Sequence, residues 1–163
     1  MWGRVLALWL DLLILSFVYF VIGFTLGLIA NARGDRASLA FLSPAPEGIP
    51  YTVLTLVYFA WLWTSGATFG QRATRLWTLN AADGSLMTWN QSILRWLYLF
   101  GPVAVLNVFI TPGLAGETMA AFARIIVTLY WVYLLWTAIR DPKRPGFHDL
   151  HARTVVAHVL PPS

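Results

Sequence analysis

Four long apolar stretches, each holding at most one charged residue, constrain this chain more than any other feature. Val5–Ala30 carries only Asp11, Ile49–Ser65 carries none, Gln91–Ile110 carries only Arg95, and Met119–Ile139 carries only Arg124. A helix needs about 20 mainly apolar residues to cross the hydrocarbon of a bilayer, with a range of about 17–25. Lipid offers no partners to backbone polar groups, so such stretches must be helical. The reading is an all-α membrane protein. Its four-helix transmembrane bundle runs over residues 5–30, 49–65, 91–110 and 119–139, within a single domain spanning 1–163. Composition agrees: 58% of residues are hydrophobic and 11% charged, against about 25% charged in soluble domains. Val5–Ala30 is much longer than the roughly 7–15 residues of a signal-peptide core, and it contains Asp11. It reads as a retained helix, although Ala30-Asn31-Ala32 is loosely like a cleavage site.

Orientation follows from the basic residues. With four crossings, three segments share a side: the N-terminus, residues 66–90, and the tail 140–163. They hold Arg4, Arg72, Arg75, Arg140, Lys143, Arg144 and Arg153, whereas the opposite side holds Arg33 and Arg36. The first set is expected in the cytoplasm, with both termini, at the inner membrane of a bacterium. Trp2, Trp9, Trp61, Trp63, Trp77, Trp89, Trp96 and Trp136 fall near the same ends and read as an aromatic belt. Pro50 suits the first turn of the second helix. Thr88 and Gln91 have capping-box spacing. Gly101-Pro102 predicts a kink in the third helix, and 31–48 reads as an irregular loop. Between the second and third helices, Asp83-Gly84 sits between two β-prone runs and predicts a short cytoplasmic β-hairpin over 75–89. An interfacial helix from about Gly70 to Leu79 is the competing reading. Thr154–Leu160 is β-prone and can pair with the hairpin.

The few polar groups inside the apolar stretches are the candidate site. Asp11 lies about 9 Å inside the first helix and Arg95 about 6 Å inside the third, from the same side. Similar depth predicts an Asp11–Arg95 contact, joined by Arg4 one heptad before Asp11. A carboxylate at such depth is costly unless paired or wet. Three readings stay open for Asp11: an ion or proton site, a buried pair that fixes helix register, or a protonated acid. Arg124 is expected to snorkel outward. The tail forms a second cluster of Asp141, His148, Asp149, His151 and Arg153, folded back on the cytoplasmic surface, with Asp149 pairing Arg4, Arg72 or Arg153. Two histidines with one or two carboxylates fall short of the convergent ligand set of a metal site. Gly23-x-x-x-Gly27 permits close helix packing.

In order along the chain, Gly3-Arg4, Asp11, Thr68-Phe-Gly-Gln-Arg, Asp83-Gly84, Thr88-Trp89, Arg95-Trp96 and Asp141-Pro-Lys-Arg-Pro-Gly-Phe-His-Asp149, followed by Thr154-Val-Val, resemble the RDD family of membrane proteins. That family is named for one arginine and two aspartates. The resemblance implies Arg4, Asp11 and Asp149 as its signature, with Asp141 as the reserve for the second aspartate. Phe69 and Gln71 stand where the family usually has Pro and Lys.

Two functions remain open. One is ion or proton-coupled transport by an oligomer, a role proposed for such proteins. The other is a non-catalytic accessory or assembly subunit of a larger membrane complex. The expected partners are the lipid bilayer and either further copies or that larger complex. The basic residues flank apolar stretches, which argues against nucleic acid. The chain has no cysteine, and it shows no nucleophile–base pair or phosphate loop. Neither an enzyme nor a cofactor is expected.

Overall fold

The structure, a computed structural model, describes residues 2–34, 44–106, 117–140 and 146–158. Among them the chain is mostly helical, with one small two-stranded sheet. The apolar stretches become the long helices α1 (Trp2–Arg33), α2 (Pro44–Thr64), α4 (Trp89–Val105) and α5 (Glu117–Arg140). A short helix α3 (Phe69–Ala73) and a strand β1 (Leu76–Asn80) follow α2. A second pair, α6 (Phe147–Ala152) and β2 (Thr154–His158), follows α5. Helix α1 is the one described helix both long and apolar enough to cross a membrane by length and composition. Its best window has a mean hydropathy of 2.5, with only 6% buried. The apolar parts of α2 and α5, Ile49–Thr64 and Ala121–Thr137, are shorter. Residues 107–110 of the third apolar stretch lie outside the described residues.

Several boundaries differ from the sequence expectation. Helix α2 starts at Pro44, so Pro50 lies inside it rather than in its first turn. The missing N–H of Pro44 falls where a helix has no partner for it, and the true start signal lies six residues before Pro50. Asn31–Arg33 and Pro44–Gly48 are likewise helical, not loop. The α4 cap is as expected: Thr88 Oγ1 accepts the Gln91 N–H at 3.3 Å, and Gln91 Oε1 accepts the Thr88 N–H at 3.0 Å.

The expected hairpin over 75–89 is replaced by a long-range sheet. Strand β1 pairs antiparallel with β2, from Leu76 opposite His158 to Asn80 opposite Thr154. The turn at Asp83-Gly84 does form, with Gly84 at φ +71. Its return arm makes only the Leu79–Leu86 bridge before Thr88 caps α4. The arm is too short to compete with a five-residue partner whose inward residues, Thr154 and Val156, are buried. Of the range Gly70 to Leu79 weighed as a helix, only the first part is helical, within α3 at Phe69–Ala73, and Leu76–Leu79 lie in β1.

One plan occurs twice. Adding 78 to each residue number carries Phe69, Gln71, Arg75 and Leu76 onto Phe147, Asp149, Arg153 and Thr154, and so carries α3–β1 onto α6–β2. Arg75 and Arg153 both adopt positive φ, at 56 and 54. The β1–β2 register maps onto itself under the same shift. Each hook follows two long helices and packs on the first of them, α3 on α1 and α6 on α4.

The core between the helices is aromatic. Phe59 stacks on Phe100 at 4.8 Å and lies 5.0 Å from Trp63, with Leu15, Trp96, Leu99 and Leu134 around them. Trp63 and Trp96 were expected in the interfacial belt but are buried, whereas Trp2, Trp9, Trp61, Trp89 and Trp136 are exposed. Residues two apart on a helix point about 200° apart, so Trp61 faces out while Trp63 faces in. Phe59 is 1% exposed. Phe59→Ala is expected to cost about 3–5 kcal/mol, read as a lower denaturant midpoint in detergent micelles. A change below about 1 kcal/mol would show that this cluster is not the core.

Candidate functional site

Two buried carboxylates, solved in different ways, organise one end of the helices. On α1 the buried residues Ala7, Asp11 and Leu15 recur every fourth position, which places them on one face. That face lies on α3. The fit depends on Gly70, where a Cβ would stand 2.1 Å from the Ala7 carbonyl oxygen. The close approach lets Asp11 accept the Gly70 N–H at 2.8 Å. The Thr68 hydroxyl donates to the same carboxylate at 2.5 Å and the Tyr58 hydroxyl at 2.6 Å. All three donors are uncharged. Thr68 also caps α3, accepting the Gln71 N–H, while the Gln71 side chain donates to the Thr78 hydroxyl of β1 at 2.8 Å.

Asp149, on α6, receives the charged partners. Arg95 Nη1 lies 2.6 Å from its Oδ1 and also donates to the Thr154 hydroxyl at 3.0 Å. That hydroxyl donates to Asp149 Oδ1 at 3.3 Å. Arg4 Nη1 stands 3.9 Å from Asp149 Oδ2, and its Nη2 donates to the Val156 carbonyl of β2 at 3.0 Å. The Arg95 guanidinium also sits 4.9 Å over the Trp63 ring. The expected Asp11–Arg95 contact is therefore not formed. Equal depth sets height along the helices but not the direction around each axis. Asp11 faces α3, and Arg95 faces α6. Of the partners weighed for Asp149, Arg4 is in place. Arg72 instead donates to the Ala67 carbonyl, and Arg153 is exposed.

The tail cluster splits as well. The half-buried His148 has its Nε2 3.6 Å from Asp149 Oδ1. His151 contacts the Phe147 carbonyl and the Tyr98 ring at the surface. Asp141 lies outside the described residues. No cluster of three metal-ligating side chains occurs among the described residues. Gly23 and Gly27 are half-buried on α1, and Arg124 is exposed on α5. Sequence reasoning missed Tyr58 and Thr154 as partners. Neither carries a local signal, since a hydroxyl in an apolar or β-prone run reads as ordinary packing.

Burial alone would raise the Asp149 acid, but Arg95, His148, Arg4 and the Gly146 N–H together hold it below its ordinary range. Burial drives His148 down to about 4 despite the attraction of Asp149, and the two arginines push the same way. Both folded values lie below the unfolded ones. The stability they confer is full above the ordinary His value of 6.5 and is lost on acidification. Arg4, Asp11, Trp63, Arg95, His148 and Asp149 all line one cavity of about 90 Å³.

Asp149→Asn leaves Arg95 buried without its counter-ion and is expected to cost about 3–5 kcal/mol. The double variant Arg95→Met/Asp149→Leu should recover most of that loss. Equal destabilisation of the two variants in micelles would contradict the pairing. The melting temperature should fall as pH drops from 6.5 towards about 4, and His148→Gln should flatten that part of the profile. An unchanged profile would remove His148 from the Asp149 cluster.

A family model matches residues 1–153, and the family is RDD. Nothing among curated proteins or solved structures matches the chain. The arginine and the two aspartates expected from the resemblance line the same cavity. The match covers nearly the whole chain, which therefore belongs to the RDD family.

Proposed function

We propose that this chain is a membrane-embedded, non-catalytic accessory or assembly subunit. In this reading α1, α2, α4 and α5 all cross the cytoplasmic membrane of a bacterium, with both termini and the sheet on the cytoplasmic side. The surface of α1 supports the membrane placement: Phe17, Phe20, Phe24 and Leu28 are exposed. An apolar helix left so open in water would be an aggregation site. In lipid the same surface has a matching solvent.

The observation that carries the accessory reading is the commitment of both buried carboxylates. Asp11 accepts three donors, and Asp149 holds Arg95 at 2.6 Å. Groups tied down in this way hold helix ends in register. Transport by an oligomer, the rival reading, needs Asp11 to release its donors and exchange protons. The expected result is stoichiometric co-purification with a larger membrane protein in mild detergent, and no cation-dependent proton flux in proteoliposomes. A flux that is abolished by Asp11→Asn would overturn the proposal in favour of transport.

A further inference from the structure

The cavity beside the Arg95–Asp149 pair has more donors than its own residues use. Trp63 Nε1, Arg95 Nε and Trp131 Nε1 are buried without hydrogen-bond partners among the described residues, and all three side chains line it. Trp63 and Arg95 are each at least nine-tenths buried. An indole N–H and an arginine Nε–H can only donate, and a buried donor left unpaired is costly. The chamber therefore calls for oxygen acceptors. Arg4 stands at its rim with one hydrogen bond and the 3.9 Å contact, its side chain 26% exposed. The carboxylates do not meet this demand, because Asp149 is committed to Arg95 and Asp11 to its three uncharged donors.

A second cavity, of about 220 Å³, lies one helical turn deeper, between Leu12, Thr55, Trp96, Phe100, Ala104 and Trp131. Trp131 lines both. The remaining wall of the first chamber is aliphatic, including Val5, Leu8, Leu99 and Leu135. A donor-rich chamber at the end of the helices with an apolar chamber behind it matches an amphiphile with an oxyanion head and a hydrocarbon tail.

We propose that the paired cavities bind one phospholipid, its phosphate oxygens on the Trp63, Trp131, Arg95 and Arg4 donors and the start of an acyl chain in the deeper chamber. The proposal rests on the membrane reading. Native mass spectrometry of the full chain, released from micelles doped with dioleoylphosphatidylglycerol, tests it. The expected result is a one-to-one adduct, with no comparable adduct from inorganic phosphate. Trp63→Phe/Trp131→Phe keeps an aromatic ring at each position and removes two donors, so it should weaken retention about a hundredfold, at roughly one factor of ten per charge-assisted bond. Ala104→Phe, which fills the deeper chamber, should weaken the lipid adduct as well. No defined adduct with wild type, undiminished binding in both variants, or equal binding of inorganic phosphate would each overturn the site. Membrane fractionation is run in parallel. A chain that sediments with membranes yet holds no lipid overturns the site alone, whereas a chain found outside membranes overturns the membrane reading.

Discussion

The Arg95–Asp149 pair is the interaction on which the sheet-bearing end of the fold depends. It joins α4 to α6, and through Thr154 it reaches β2, which in turn carries β1 and the segment after α2. Both members are almost fully buried, where an unpaired charge would be strongly unfavourable. The pair is therefore closer to a condition of folding than to a surplus of stability, and a matched apolar replacement would hold the same elements. What the charges add is discrimination. Only one arrangement of α6 against α4 brings the carboxylate under the guanidinium, and alternatives leave two buried ions apart.

Asp11 solves the same problem without a counter-charge. Its three donors come from α2, from the segment before α3 and from the α3 backbone. Holding them together requires α1 and α3 to touch at Gly70, so the smallest residue sets the helix separation that the carboxylate needs. Arg4, Asp11 and Asp149, the residues the resemblance implies as the signature, thus belong to two adjoining networks, one built on uncharged donors and one on ion pairs, that meet across a single small cavity.

Much of this was legible in the chain itself. The apolar stretches gave the long helices, Thr88 and Gln91 gave the α4 start, and the β-prone run at 154 gave the second strand. The partner exchange was not legible. Residue spacing tells how deep Asp11 and Arg95 lie, but the direction each faces depends on how the helices are rotated against one another. The hairpin expectation failed for a related reason: a turn signal is local, and the better partner for β1 lies more than 70 residues away in sequence. Trp63 and Trp96 look like interfacial anchors by position and are core residues by face.

The doubled plan of two long helices, a short helix and a strand has its own consequence. Its pseudo-two-fold axis passes between the β1 and β2 centres, Thr78 and Val156, and relates backbone but not chemistry. At equivalent points in the two hooks stand Gln71 and Asp149, and Gly70 and His148. The symmetry is thus broken by side chains alone: one flank holds its buried carboxylate with uncharged donors, and the other carries every ion pair described. Any molecule lying across that axis meets two unlike faces on a symmetric frame, so its two directions across it are not equivalent.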